Sequence, residues 1–221
     1  MSALTDAPLV EADDRASWRA WLEANHATSR GAWLVTRRPR SGRPGLDYET
    51  AIEEALCFGW VDGTAGRVDD ERGKLYFAPR KPRSGWAATN KARVRRLIAQ
   101  DRMAPAGLAA IKRAKSNGSW ELLDSVERLE VPDDLIAALK AQPPAAVNFA
   151  AWPPSVRKQA LTSLVQARRP DTRIARIRKI ADAAERNVRP GAAEPTRPLF
   201  ESGRPDLAER ADELLRGFGE R

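Results

Sequence analysis

The 221-residue chain has one cysteine and one histidine, and these scarcities exclude several kinds of site. One cysteine cannot form an internal disulfide or a cysteine-rich zinc site, which is typical of a reducing compartment. With one histidine, a transition-metal site would need carboxylates for most of its ligands. We therefore expect neither a metal nor another cofactor.

Long apolar runs and catalytic signatures are also missing. No run approaches the roughly 18–20 apolar residues that cross a bilayer, and the first residues show no basic segment followed by an apolar core. We therefore expect a cytoplasmic protein without membrane insertion. The sequence has no phosphate-binding glycine loop, dinucleotide fingerprint, nucleophile elbow or pair of metal-binding histidines.

The charge is unbalanced, with 38 lysines and arginines against 30 acids and a formal net charge of +8. An arginine-rich surface favours either a phosphate-rich partner or no specific partner, and the alanine, arginine and proline bias favours the second. Two basic runs, from Pro79 to Arg102 and from Arg173 to Lys179, lack an aromatic stacking platform or a reading-helix motif. This lack disfavours nucleic-acid binding.

Hydrophobic spacing in the first half predicts the α+β class, with a small antiparallel sheet packed with helices. The strands are expected at "AWLVTR", "WVDGTAGRV" and "KLYFAPR". The helices are expected to be capped by Asp13 or Asp14, by Asp47 and by Ser84, and to cover residues up to about Ala27, Tyr48–Phe58, Gly85–Gln100 and Leu108–Asn117.

The second half predicts helices only. Pro132, Pro143, Pro153 and Pro170 each stand where a proline begins a helix, and the last long helix has a buried stripe at Ile174, Ile177, Ala181 and Ala184. The predicted organisation is a flexible lead-in (1–13), an α+β domain (14–125), a helical domain (126–188) and a tail that can form a short helix (189–221).

The stretch "EEALCFGWVDG", residues 53–63, combines carboxylates, the cysteine and two glycines. Cys57 lies within one helical turn of Glu53 and Glu54 near a helix C-terminus, and both surroundings raise a thiol pKa. We therefore predict that Cys57 is a buried apolar residue rather than a nucleophile. Gly59 ends the helix, so Trp60 and Asp62 share one face of the following strand.

The sequence allows two roles for each of three polar residues. Asp62 forms either a cross-strand ion pair with Arg72 or Arg80, or a polar group in a pocket. His26 either caps a helix C-terminus or acts as a general acid or base. Ser84, at a predicted helix N-terminus beside Arg80 and Arg83, indicates either an anion site or a solvated basic face.

Four segments carry a family resemblance: "YETAIEEALCFGWVDG", "DDERGKLYFAPRKPRSGWAATN", "MAPAGLAAI" and "RKQALTSLVQARRPDTRIARIRKI". Together they resemble the bacterial YdeI/OmpD-associated (bacteriocin-protection) family, roughly over Trp18–Trp120 and Ala150–Ala184. The resemblance implies protection against bacteriocins or association with a porin, without an agreed reaction, cofactor or catalytic set. Ala87 stands where relatives often carry a hydroxyl. The family-type polar and aromatic positions give a candidate pocket of His26, Tyr48, Glu54, Trp60, Asp62, Arg80, Ser84, Trp86 and Asn90.

Three functional hypotheses follow from these features. The first is a non-enzymatic stress or antimicrobial-resistance protein that binds a small anionic ligand or a protein partner. The second is an enzyme acting on a small anionic substrate, drawing on six polar residues of the pocket. The third, nucleic-acid binding, is the least favoured. The six residues of the enzyme hypothesis are His26, Tyr48, Glu54, Asp62, Arg80 and Asn90.

Overall fold

The computed structural model describes residues 6–37 and 45–189. The chain divides into two compact units, Met1–Glu121 and Leu122–Arg221, called here the N-terminal and C-terminal units. Each unit has its own hydrophobic core. The stretch "PRSGRPG", residues 39–45, whose composition predicts a turn, lies outside the described residues except for Gly45. The short helix predicted in the tail also lies outside them.

The N-terminal unit has helices packed on a four-stranded sheet of order β1-β2-β4-β3, which confirms the α+β class. Its elements in chain order are β1 (Leu9–Glu11), α1 (Arg15–Asn25), β2 (Ala32–Arg37), α2 (Tyr48–Cys57), β3 (Trp60–Arg67), β4 (Arg72–Pro79), α3 (Ala88–Ala99) and α4 (Pro105–Ser116).

The sheet is mixed rather than antiparallel, because β1 pairs in parallel with β2. The prediction of a flexible lead-in over residues 1–13 is therefore wrong for Leu9–Glu11. Val10 is buried in the core while Leu9 and Glu11 are exposed, so this strand alternates as a half-buried strand should. Three residues are too few for that alternation to be recognised in the sequence.

Helix α2 begins and ends where the sequence predicts. The Asp47 side chain accepts a hydrogen bond from the Thr50 backbone at 2.8 Å, and each residue from Ala51 to Cys57 is buried. Gly59 follows with φ +74°, a conformation that favours glycine. A Cβ atom there would lie 2.9 Å from the Cβ of Ala110. The chain therefore turns sharply between the end of α2 and the start of β3.

Helix α3 begins at Ala88, three residues later than predicted, and Ser84 is not its cap. Its N-cap residue is Ala87, which has no side-chain capping hydrogen bond. The delay has a local cause, since the Arg80 guanidinium binds the Gly85 carbonyl at 2.8 Å and Trp86 is buried in the core. These contacts hold the segment before Ala87 in a non-helical conformation.

The described part of the C-terminal unit contains helices and no strand, as predicted. Proline stands at the N-cap or in the first turn of its four longer helices. Ile174, predicted to be buried, is 48% exposed because the buried face of the last helix is rotated toward Ile180 and Ala183. The helices are α5 (Asp124–Glu127), α6 (Asp133–Lys140), α7 (Pro143–Ala151), α8 (Pro154–Val165) and α9 (Pro170–Glu185).

We predict that Gly107→Ala destabilises the N-terminal unit. A Cβ atom at Gly107 would lie 2.2 Å from the Cys57 carbonyl oxygen, where the end of α2 meets the start of α4. Overpacking of this kind costs about 1–3 kcal/mol, which exceeds the roughly 0.5–1 kcal/mol that alanine gains over glycine within a helix. Urea unfolding measures the loss. The control Ala109→Ser, on the exposed side of α4, should cost less than about 0.5 kcal/mol, and equal losses would contradict the close packing.

Candidate ligand-binding site

The nine predicted site residues lie in three places within the N-terminal unit. Six of them follow a series of contacts between the start of α2, the paired strands β3 and β4, and the start of α3. Glu54 lies in a separate cluster of buried charges. His26 lies at the C-terminal end of α1, where its carbonyl accepts a hydrogen bond from Trp60, the first residue of β3. The six that come together are Tyr48, Asp62, Arg80, Ser84, Trp86 and Asn90.

Arg80, just after β4, is the central cation of the site and is only 7% exposed. Its Nη1 donates to the Gly85 carbonyl at 2.8 Å and to the Ser84 hydroxyl at 3.3 Å. Its guanidinium lies 4.1 Å from the centre of the Trp86 ring, a cation–π distance. Burial lowers the pKa of Arg80 to about 10, and the charge of Asp62 acts in the opposite direction. The side chain is therefore a cation at neutral pH.

One nitrogen of this buried guanidinium has no hydrogen-bond partner. Among the described residues, Nε of Arg80 is enclosed without an acceptor. A buried donor without a partner costs free energy, about 1–3 kcal/mol and more when the group is charged. Such a group is uncommon in native proteins and needs a physical explanation.

Asp62 lies on the side of the sheet that the helices cover, and its carboxylate accepts a hydrogen bond from a tyrosine hydroxyl. It pairs in register with Phe77 of β4, and its Oδ2 accepts a hydrogen bond from the Tyr48 hydroxyl at 3.0 Å. Burial raises the pKa of Tyr48, and the Asp62 charge raises it further, so the phenol remains a neutral donor. The alternative partner Arg72 instead binds Glu11 and Asp69, each at 2.7 Å. A cross-strand ion pair of Asp62 with Arg72 is therefore wrong, and the Asp62 carboxylate is bound by Tyr48 instead.

Arg93 on α3 belongs to the same site, although the sequence did not single it out. Its Nη1 donates to the Asn90 side-chain oxygen at 2.9 Å, and its Nε and Nη2 bind the Glu49 carboxylate. Arg93 lowers the pKa of Glu49 through these hydrogen bonds. The signal that could have found Arg93 is its position one helical turn after Asn90. Arg93 fixes α3 to the N-terminal turn of α2.

Glu54 has a structural environment, away from Arg80. It is fully buried and binds three guanidinium groups, while its neighbour Glu53 also binds three. Each carboxylate therefore has cationic partners from elements on different sides of α2. The partners of Glu54 are Arg15, Arg19 and Arg102, and those of Glu53 are Arg15, Arg96 and Arg102. We call these six residues the glutamate–arginine cluster.

Cys57 and His26 are both engaged in local structure. Cys57 is fully buried, as predicted, and burial, followed by the charge of Glu54, raises the pKa of its thiol to about 11. His26 is the C-cap of α1, and its Nδ1 lies 2.9 Å from the Leu22 carbonyl oxygen. Because a carbonyl only accepts, Nδ1 carries the proton. The Trp60 indole donates to the His26 carbonyl at 3.4 Å. The enzyme hypothesis therefore loses His26 and Glu54 from its pocket.

Metal ligands and membrane spans were searched over residues 6–37 and 45–189. No group of three or more His, Cys, Asp or Glu side chains in these ranges could hold a metal ion. None of the helices described is long and apolar enough to cross a membrane. The polar side chains of the candidate site are the Arg80 guanidinium, the Asp62 carboxylate and the Tyr48 phenol.

We predict that Glu54→Gln destabilises the N-terminal unit by about 3 kcal/mol, because it leaves three arginines facing an uncharged buried group. These arginines are 27–43% exposed, which keeps the loss at the lower end of the range for a broken buried pair. The control is Glu49→Gln, since Glu49 also binds two arginines but is 47% exposed. It should cost less than about 1 kcal/mol. Equal losses in chemical denaturation would contradict the structural role of Glu54.

The comparisons with known proteins divide the chain at the same region as the structure does. Residues 128–187 match the family model described as "Bacteriocin-protection, YdeI or OmpD-Associated", which confirms the resemblance over this segment. Residues 10–110, which carry the candidate site, match the model of a domain of unknown function (DUF8412). No curated protein and no solved structure matches the chain.

Proposed function

We propose that this protein is a non-enzymatic ligand-binding protein, and its match over residues 128–187 to the family model described as "Bacteriocin-protection, YdeI or OmpD-Associated" supports a binding role. Its ligand is a small anion, bound in the N-terminal unit by Arg80. The single observation that carries the proposal is the buried Arg80 guanidinium, whose Nε has no acceptor among the described residues.

The charge balance around Arg80 supports an anion rather than a neutral ligand. Asp62 is the carboxylate that acts on the Arg80 charge, and its hydrogen bond goes to Tyr48. The guanidinium is therefore desolvated without a carboxylate in direct contact. A bound anion would supply the missing acceptor and a second negative charge, in a site where water screens weakly.

The geometry of the guanidinium supports a carboxylate or a phosphate. A planar fork of N–H donors matches the oxygens of these two groups, and stacking on Trp86 fixes the plane of that fork. Tyr48 and Asp62 would hold the opposite wall of the site in place.

The observed contacts favour binding over catalysis. An enzyme acting on a small anionic substrate would use the same guanidinium, but it would also need a group that gains or loses a proton near neutral pH. The Tyr48 phenol is held as a neutral donor, and His26 lies at the end of α1, where its contacts are with Leu22, Phe58 and Trp60 rather than with Arg80. Neither group is placed for that role.

The biological role that we propose is protection of a bacterial cell against an antimicrobial or a related stress, exerted in the cytoplasm. The family description motivates the protective role, and the cytoplasmic location is the expectation from the sequence. Deleting the gene tests the role. Unchanged sensitivity to bacteriocins and to envelope stress would remove this part of the proposal without affecting the anion site.

We predict that phosphate and acetate bind to the wild-type protein and that Arg80→Gln weakens this binding. Loss of a hydrogen bond to a charged group costs about 1.5–3 kcal/mol, so the affinity should fall by roughly 10- to 100-fold. Isothermal titration calorimetry with sodium phosphate and sodium acetate measures this, with sodium chloride added to keep the ionic strength constant.

Two variants separate a specific site from general positive charge. Arg83→Gln removes an exposed arginine three residues away and should leave the affinity unchanged. Arg80→Lys keeps the charge but removes the planar fork, and should weaken binding. Circular dichroism checks that each variant is folded. Equal losses in the Arg80 and Arg83 variants, or no binding by the folded wild type, would refute the anion site.

A further inference from the structure

A groove of about 370 Å³ runs between α8 and α9 in the C-terminal unit. Its floor is apolar and consists of Ala160 of α8 with Ile180 and Ala183 of α9, which all belong to the core of this unit. Two of these three side chains are alanines, whose small size leaves space between the helices. Sites for small molecules have volumes of roughly 300–1,000 Å³. The groove is therefore large enough for the apolar part of a small ligand.

Two cations lie beside this floor. Arg176 and Lys179 of α9 line the groove, and no aspartate or glutamate does so among the described residues. The Arg176 guanidinium donates to the Ser163 carbonyl of α8, which fixes its position at the groove. A guanidinium has five N–H donors, so this bond leaves most of them for a ligand. The groove therefore joins an apolar floor to a cation that is held in place.

The charge of these two cations is not neutralised within the part of the chain that the structure describes. Neither Arg176 nor Lys179 forms an ion pair with a carboxylate there, whereas Lys158 of α8 binds Glu127 at 2.7 Å. A cation in open solvent attracts an anion only weakly. Beside an apolar surface that excludes water the attraction is stronger, because the local dielectric constant is lower. The charge that complements this groove is therefore that of an anion.

The groove is elongated along the two helices. Its lining residues on α8 run from Gln159 to Gln166, which is a helical length of roughly 10 Å at 1.5 Å per residue. An aliphatic chain can lie along a groove of this length, whereas a compact anion such as phosphate would contact only the residues around the two cations. The shape therefore favours an anion that carries an aliphatic chain.

A second cleft in the same unit lacks this combination of groups. It has a volume of about 350 Å³, lies between α5, α6 and α8, and is lined by Glu130 and Asp133 as well as Arg173. Arg173 is already bound to Asp134, at 2.6 Å. An anion would meet like charges in this cleft, which therefore serves as a comparison within the same unit.

We infer that the groove between α8 and α9 binds an amphiphilic carboxylate, a dissolved anion with an aliphatic tail. Its carboxylate binds Arg176 and Lys179, and its tail lies on Ala160, Ile180 and Ala183. The planar fork of a guanidinium matches carboxylate oxygens, and removal of the tail from water favours binding. This ligand differs from the compact anion proposed at the buried guanidinium of the N-terminal unit, and binding at one site does not require binding at the other.

Isothermal titration calorimetry with sodium decanoate, below the concentration at which it forms micelles, measures this binding. The Arg80→Gln variant is titrated, so that the anion site of the N-terminal unit does not contribute. One decanoate should bind per chain, at least about tenfold more tightly than acetate, because the tail adds buried apolar area. Decyltrimethylammonium has the same tail with the opposite charge and should bind at least about tenfold more weakly than decanoate.

Two further substitutions in the same background separate the groove from general positive charge. Lys179→Glu should weaken decanoate binding about tenfold, because it replaces an attracting charge with a repelling one. Arg178→Glu makes the same change at a neighbouring residue that does not line the groove and should leave the affinity unchanged. Circular dichroism checks that each variant is folded.

Nuclear magnetic resonance of the wild-type protein locates the ligand without any substitution. In ¹H–¹⁵N spectra, decanoate should shift the backbone amide signals of residues 176–183 of α9. The amide signals of Glu130 and Asp133, in the second cleft, should remain unchanged.

Four results would overturn the inference. The first is no decanoate binding below the micelle concentration by the folded protein. The second is equal affinity for decyltrimethylammonium, which would indicate general apolar adsorption. The third is an equal loss in Lys179→Glu and Arg178→Glu, and the fourth is amide shifts confined to the second cleft or to the surroundings of Arg80. Phosphate binding by the wild type is measured separately, so the two proposed sites can fail independently.

Discussion

The burial of two adjacent carboxylates, Glu53 and Glu54, is the constraint on which the N-terminal unit depends. Charged side chains of this kind are almost never buried without partners, and here the partners come from both sides of α2. Arg15 and Arg19 approach from α1, and Arg96 and Arg102 from α3 and the residues after it. The glutamate–arginine cluster therefore fixes α2 between two helices, in a position that apolar packing alone specifies less closely.

The position of α2 determines, through the backbone that follows it, where the residues of the candidate site lie. Helix α2 ends at Cys57, and Gly59 turns the chain into β3. The Arg80 backbone N–H then donates to the Gly59 carbonyl at 3.0 Å, beside the paired ends of β3 and β4. The same turn that ends α2 therefore places Arg80 near Asp62. At the other end of α2, Tyr48 reaches Asp62 and Glu49 reaches Arg93, so one helix holds two walls of the site.

The sequence predicted those features that have local causes. Asp47 as a cap, Gly59 after a helix, prolines at helix starts and a buried, poorly ionised Cys57 all depend on residues within a few positions of each other. The errors arise from side-chain contacts that no sequence pattern shows. Arg80 binds the loop that precedes α3 and delays the helix that Ser84 was expected to cap. Glu54 finds its cationic partners 35 to 48 positions away along the chain, so its structural role had no local signal.

The central claim is that an anion completes the environment of the buried Arg80 guanidinium. The most direct measurement is a crystal structure of the protein determined with phosphate bound. The account predicts phosphate oxygens within hydrogen-bond distance of the Arg80 guanidinium, Nε included, with Trp86 still stacked on the guanidinium. Phosphate bound only to exposed arginines such as Arg83, with Arg80 unchanged and enclosed, would contradict it.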